Sequence, residues 1–527
     1  MEKPHLIGLV SFAVLATAAL AMRPPEEAKQ TEVGVPKSHV RLAALSTSAR
    51  KDVDYAAIDQ RLQRLMERRA MVGMAVGIVE NGRITFLKGY GETLAGSGEP
   101  VTAQTVFRWA SVSKGLAASM VAKLAEQNKV NLNAPVADYV PTLKLPARAE
   151  YRATVGDMLS HRLGLYRNAY DNKLEEGQDP HVLRQSLSQL NLVCPPGTCW
   201  SYQNIAYDGA SELVENVTRQ QYEQAVRRML FNPIGMTSGS VSREGLMNSK
   251  SWAWPHNAGR KPLEVTEAYY KVPAAGGVNS NIKDMALWML AQMGEMPDVL
   301  SPRVLGAIHA SLVKTPSERN RLRKFRERLG KADYGYGWRS YDYAGHHIVG
   351  HRGGLNGYRS LILFDPQKKS GVVALWNSNT NQPAGLEFEV MDMIYHLPFR
   401  DWMEVDSSPR PNTSTVAQAE NEDEMSGDAG PSRSKGRVLP DAQQEHRTAA
   451  VGFTPHQEET SHGGNQVPRR DRASQERSSR GRGAVRAVRE SERRRPERET
   501  GPADLQGADH PHDAGGGNLL SSLRGEG

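Results

Sequence analysis

Cysteine is nearly missing from this chain: there are two in 527 residues. That excludes a scaffold built on disulfides and any array of zinc fingers. Aromatic residues are scarce, at 6%, and from residue 411 onward Phe453 is the only one. After the first residues no apolar run reaches the about 20 residues that a membrane-spanning helix needs. A strong charge of one sign is also missing: 66 basic side chains face 59 acidic ones, for a net +7. Over this length that is mild, and no nucleic-acid partner is expected from it. The common hydrolase and nucleotide signatures are absent too: no Gly-x-Ser-x-Gly, no His-Glu-x-x-His and no P-loop. The histidines are scattered without ligand spacing, so no metal and no cofactor are expected.

What is present begins with an address. An apolar run from Leu6 to Ala21 ends in Ala19-Leu20-Ala21, the small-x-small pattern of a cleaved secretory signal. No cysteine follows it to carry a lipid anchor. Residues 1–21 are therefore expected to be a signal peptide. The protein is then exported, periplasmic or secreted, with no stable membrane span after cleavage. Export changes how Cys194 and Cys199 read. They flank Pro195-Pro196-Gly197-Thr198, a turn that brings its ends together, and an oxidising compartment favours a disulfide over two buried thiols.

Residues 22–52 read as a leader. From Val53 a helical period begins, with Ile58, Leu62, Leu65 and Met66 on one face. Two β-prone runs, Val72–Val79 and Ile84–Leu87, flank Asn81-Gly82, a strong hairpin signal. Residues 111–126 read as a helix. The stretch 127–330 is rich in helical patterns and Pro/Gly loops. Strand patterns return in Gly337–Tyr343, His346–His351, Ser360–Phe364 and Gly371–Trp376, and a helix over Glu387–His396 closes the domain. The predicted class is α+β: one antiparallel sheet built from both ends of a domain over 53–405, flanked by helices, with an inserted helical subdomain. Residues 406–527 form a tail rich in Arg, Gly and Ser. It has too little apolar surface to offset chain entropy and is expected to be disordered. Its cluster from Arg469 to Arg498 reads as a solvated stretch rather than a nucleic-acid site. A shifted reading frame in GC-rich DNA produces the same Arg-rich, Lys-poor composition.

The chemistry centres on Ser111-Val112-Ser113-Lys114. Residues three apart on a helix share a face, so the Lys114 amine reaches the Ser111 hydroxyl. A serine hydroxyl is a poor nucleophile until a base takes its proton, and burial lowers a lysine pKa enough for that work. The bare spacing recurs at Ser48/Lys51, Ser280/Lys283, Ser311/Lys314 and Ser432/Lys435. Tyr-x-Asn occurs at Tyr166/Asn168, Tyr170/Asn172 and Tyr202/Asn204, and His-x-Gly at His351/Gly353 and His462/Gly464. Order and context select among these copies.

Taken in order, Ser111-Val112-Ser113-Lys114, Tyr202-Gln203-Asn204 and His351-Arg352-Gly353-Gly354 resemble the serine β-lactamase and penicillin-binding-protein superfamily, in its class C branch. The likeness covers about residues 53–400. Supporting segments are Leu159-Ser160-His161-Arg162-Leu163-Gly164-Leu165, Asn232-Pro233-Ile234-Gly235-Met236 and Ala275-Gly276-Gly277-Val278. The resemblance implies an acyl-enzyme on Ser111, with Lys114 holding or accepting its proton and Tyr202 as the shuttle. It implies that Asn204 orients substrate and lysine. The backbone N–H groups of Ser111 and Gly354 form the oxyanion hole, and Gly353 and Gly354 keep the backbone open. Small-molecule substrates follow: β-lactams, esters or D-amino-acid peptides. Alternatives to a β-lactamase or esterase are a cell-wall D-peptidase or a non-catalytic penicillin-binding sensor. His351 departs from the class C pattern, which has lysine there. A neutral imidazole does not offer a substrate carboxylate a fixed charge. Arg352 should face away from His351, because strand side chains alternate.

Overall fold

The computed structural model describes residues 51–406. The expected signal peptide, most of the leader and the tail with its arginine cluster lie outside the described residues.

Helix α1 (Tyr55–Met66) starts at the Asp54 side chain, which accepts from the Ala57 N–H, and buries Ile58, Leu62 and Leu65. The hairpin follows as β1 (Gly73–Glu80) and β2 (Arg83–Gly91). Its turn residues Asn81 and Gly82 have φ of 51° and 72°, the left-handed pair that a two-residue hairpin turn requires. Helix α2 covers Ser113–Glu126. Residues Ala110–Val112 before it form a tighter 3-10 turn, so Ser111 precedes the α-helix expected to contain it.

Residues 127–330 are mostly short helices and loops, as the sequence suggests, but strands that the sequence patterns do not reveal occur within and beside them. Strand β3 (Val106–Arg108) pairs with β4 (Asn279–Asn281) in a separate small sheet. Strands β5 (Val313–Lys314) and β6 (Leu329–Tyr334) extend the main sheet. Then come β7 (Arg339–Tyr343), β8 (His346–Leu355), β9 (Tyr358–Asp365) and β10 (Ser370–Trp376). The last long helix is Leu386–Ile394.

The main sheet has eight strands in the order β2-β1-β10-β9-β8-β7-β6-β5. All its pairings are antiparallel, and the N-terminal hairpin joins the C-terminal strands through β1 and β10. Two cores lie on its two faces. Val372, Ala374 and Trp376 of β10 pack with α1 and the last helix, whereas Val373 and Leu375 pack with the helical layer around α2. β9 divides likewise, with Leu361 and Leu363 on one side and Ile362 and Phe364 on the other. Period-two alternation in these strands sets which side chains meet the helical layer. Among the described residues, no helix is long and apolar enough to cross a membrane.

Candidate active site

The nucleophile candidate sits on a turn under backbone strain. Ala110, immediately before Ser111, has φ of 48°, a left-handed conformation that costs an L-residue about 1–2 kcal/mol. The turn is held from three directions. The Trp109 N–H donates to the Val278 carbonyl at 2.8 Å. The Trp109 indole donates to Ser280 Oγ at 2.8 Å. The Ser360 hydroxyl of β9 donates to the Trp109 carbonyl at 2.6 Å. β8 comes so close that a Cβ on Gly353 would lie 2.4 Å from the Trp109 oxygen and 2.9 Å from the Ser111 nitrogen. Only glycine fits there.

Lys114 is one turn on and fully buried. Its Nζ donates to Asn204 Oδ1 at 2.6 Å and to the Ala275 carbonyl at 3.0 Å, and lies 4.6 Å from the centre of the Tyr202 ring. Asn204 Nδ2 donates to Asp171 Oδ2 at 2.6 Å. The amide is thus fixed by its partners, oxygen toward a donor and nitrogen toward an acceptor. Burial pushes the Lys114 amine down to about 7, against the upward pull of Asp171 and Asp208, with Arg339 adding to the fall. Burial pushes Asp171 up to about 6 and Asp208, which the Arg184 guanidinium meets at 2.9 Å, up to about 7. A lysine near 7 is a competent proton acceptor at neutral pH.

Tyr202 is buried in a loop shaped by the Leu159–Leu165 segment. The Ser201 N–H donates to the His161 carbonyl at 2.8 Å, and the Gln203 N–H donates to His161 Nδ1 at 3.2 Å. The imidazole packs 4.3 Å from the Tyr202 ring, centre to centre. Cys194 and Cys199 are disulfide-bonded just upstream, with Cα atoms 6.3 Å apart.

Ser111, Tyr202, Asn204, His351, Gly353 and Gly354 all line one cleft of ≈ 620 Å³, with Lys114 buried beneath it. Of the competing copies, the described Ser-x-x-Lys serines separate from it, whereas Asn168 of the Tyr166/Asn168 copy also lines the cleft. Ser280 is buried in β4, and the Ser311 hydroxyl donates to Asp333. Neither serine lines the cleft. Ser48, Ser432 and His462 lie outside the described residues. His351 is in the wall, but its ring is occupied: Nδ1 donates to the Arg352 carbonyl at 2.7 Å and Nε2 accepts from the Tyr334 hydroxyl at 3.1 Å. Burial, then the nearby Arg339 and Lys114 charges, hold it well below the usual histidine range. It is neutral and supplies no charge. Arg352 does turn to the other face, where it pairs with Glu387 and stacks near Phe325 and Phe388.

Three groups escaped the sequence reading: Asp171, the Ala275 carbonyl and Arg339. The Ala275–Val278 segment carried a signal, since its Ala275 carbonyl receives the lysine and its Val278 carbonyl the Trp109 N–H. Asp171 reaches Asn204 across 33 residues with no motif.

A serine on a strained turn, a buried low-pKa lysine and a tyrosine beside it, on an antiparallel sheet closed by both ends of the domain, are the arrangement of the serine β-lactamase and penicillin-binding-protein superfamily. The chain belongs to the Beta-lactamase family, whose model matches residues 58–392. It is 28% identical over 363 residues to "Unguisins hydrolase ungD'" of Aspergillus campestris, a match taking in 66% of this chain and 64% of that protein. The chain thus spans just under two thirds of that relative's length. Its fold is similar to the octameric penicillin-binding protein homologue from Pyrococcus abyssi, with a TM-score of 0.60 at 22% identity over 67% of this chain and 80% of that one. It is also similar to the β-lactamase/D-alanine carboxypeptidase from Pseudomonas syringae, with a TM-score of 0.54 at 17% identity over 66% and 99% of the two chains.

Proposed function

We propose that the protein is an exported hydrolase of the class C type, cleaving β-lactam amides or small esters through an acyl-enzyme on Ser111. The observation that carries this reading is the buried line Asp171–Asn204–Lys114, which ends beside Tyr202 one helical turn from Ser111. Ser111 Oγ attacks the substrate carbonyl and its proton passes to Lys114 or Tyr202. The developing oxyanion is received by the backbone N–H groups of Ser111 and Gly354; losing one such donor costs ~10²–10³ in rate. The leaving group takes a proton from Tyr202. Water then attacks the acyl-enzyme with Tyr202 as base, and Ser111 is restored.

Export is supported by the Leu6–Ala21 run and by the Cys194–Cys199 bridge, which suits an oxidising compartment. N-terminal sequencing of the secreted protein should begin at Met22.

The full chain and a Ser111→Ala control are compared on a chromogenic cephalosporin, a short-chain nitrophenyl ester and a D-alanyl dipeptide. Fluorophosphonate labelling of the serine is followed in parallel. Cephalosporin or ester turnover that disappears with Ser111→Ala supports the proposal. Dipeptide cleavage alone replaces it with a D-peptidase. An inert wild type that fluorophosphonate does not label overturns the hydrolytic role of Ser111.

A further inference from the structure

The connection from β5 to β6 carries seven basic residues and two acidic ones over residues 316–331. Glu318, Leu322, Phe325 and Leu329 are its buried positions, at the spacing of one helical face. Leu322 and Phe325 pack into the core beside the last helix. Glu318 turns inward, 2.9 Å from Arg321 and 3.3 Å from Arg339. The cations between these positions, Arg319, Arg323, Lys324 and Arg326, are left on the exposed side. The end of the domain lies against them. Lys324 Nζ donates to the Trp402 carbonyl at 2.6 Å and lies 3.1 Å from the Glu404 carboxylate, and Arg400 pairs with Glu327 at 2.9 Å. From the other side Arg68, just past α1, donates to the Glu404 carbonyl. In their midst Phe399 is 54% exposed, the most open aromatic ring among the described residues, with the Arg61 guanidinium 4.9 Å from its centre. The carboxylates bonded into this face, Glu327, Glu404 and Asp406, are each held by a cation of their own.

We propose that this face, with Arg319, Arg323, Lys324, Arg326 and Phe399, docks the protein on the surface of an anionic phospholipid bilayer. Each basic side chain brought near an anionic lipid surface strengthens binding about fivefold, so a cluster of this size gives reversible attachment. The ring favours a bilayer over a soluble polyanion. A dissolved chain of phosphates has nowhere to bury Phe399, whereas the boundary between headgroups and acyl chains takes up an aromatic ring set among basic side chains. Such a contact is peripheral and needs no membrane-spanning helix. It also sets the Ser111 cleft at the lipid surface, because Arg68, Arg323 and Lys324 line that cleft too. The contact depends on this face alone and not on whether Ser111 is acylated.

The test sediments the full chain with sucrose-loaded vesicles, of phosphatidylcholine alone or with about one third phosphatidylglycerol. The anionic vesicles should take up the protein at least about tenfold better than the neutral ones at about 50 mM salt, and most of that advantage should go at about 500 mM. Arg319→Gln, Lys324→Gln and Arg326→Gln together should cut the partition coefficient about 100-fold, three factors of about five. Arg319→Lys with Arg326→Lys should keep most of it. Lys129→Gln, Arg152→Gln and Arg228→Gln remove the same net charge from other exposed positions and should stay within about threefold of wild type. Phe399→Ser should weaken binding several-fold at both salts, because burial of an apolar ring is not screened. A wild type with no preference for anionic vesicles overturns the proposal, and that comparison stands even if a variant does not fold. So does a patch variant that binds like wild type, the result expected if the arginines from residue 411 onward did the binding. Equal losses in the two triple variants would reduce the effect to net charge and overturn the face. Binding to soluble polyphosphate with none to anionic vesicles would replace the bilayer with a free polyanion.

Discussion

Replacing Asp171 with asparagine removes a charge while keeping an acceptor for the Asn204 amide. Asp171 and Lys114 are joined through that amide by two contacts of 2.6 Å. With about 2.3 Å across the amide, the charges are at most roughly 7.5 Å apart. At an effective dielectric of about 20, a unit charge at that distance is worth about 2 kcal/mol, or between one and two pKa units. The direction is fixed: the carboxylate raises the lysine, and its loss lets burial push Lys114 further below about 7. If neutral Lys114 accepts the serine proton, the acid limb of kcat/KM moves one to two units toward lower pH in Asp171→Asn. The facing groups are His161, His351, Asp208, Arg339, Tyr202 and Tyr207 around the lysine, and Glu175, Arg167, Tyr166 and Tyr269 around the aspartate. In the wild type the limb belongs to the coupled pair, since Asp171 itself titrates near 6. The assay is the pH dependence of fluorophosphonate labelling, which needs no knowledge of the natural substrate. An acid limb in Asp171→Asn that coincides with wild type refutes the electrostatic argument. A lowered rate with the limb in place would make Asp171 a structural support of Asn204 only.

Gly353→Ala should cut labelling by about 10²-fold or more, because its Cβ would press on the Trp109 oxygen and the Ser111 nitrogen, and misplacing the attacking group by about 1 Å has that effect. Lys114→Met should be inactive yet melt at or above wild type at pH 7. The folded lysine pKa, about 7, lies below the usual 10.5, so its burial opposes folding in full below about 7 and the cost fades only as the pH rises from there to about 10.5. Calorimetry reads the melting temperature. Reducing the Cys194–Cys199 bridge should lower stability by about 2 kcal/mol, the loop-closure value for so short a ring. It should also slow acylation a few-fold by loosening the loop that carries Tyr202. Chemical denaturation with and without reductant checks the first effect and labelling the second.

Long periodic elements were open to reading from the residues alone. α1 declared itself because Ile58, Leu62 and Leu65 repeat at helical spacing, and the hairpin because Asn-Gly is the pair its left-handed turn needs. The three-residue strands β3 and β4 are too short for any period to show. Ser111, Tyr202 and His351 were legible because order and context chose them from several copies of each motif. Asp171 was not, since its partner is set by packing of the start of a short helix, Asp171–Glu175, against a loop. Arg339 fell inside a correctly read strand, but strand patterning says nothing of a guanidinium sharing its carboxylate with Arg321. His351 was legible as a departure, and only the fold shows its ring tied to Tyr334 and to the backbone.

The sheet's closure by both ends of the domain has a consequence in time. The Gly73 N–H at the start of β1 finds its acceptor on Asn377, 304 residues later. At about 5–20 residues per second of synthesis, the opening hairpin waits roughly 15–60 s for the strand beside it. Throughout that wait β1 lacks its neighbour, and the β8 and β9 residues that close on the Ser111 turn have yet to be made. A chain that cannot complete its sheet while it is being made remains threadable, as passage through a membrane channel requires. It also needs protection over the same interval, because an unpaired apolar hairpin recruits other chains. Catalytic competence therefore arrives late and all at once, with the last strand rather than with the serine.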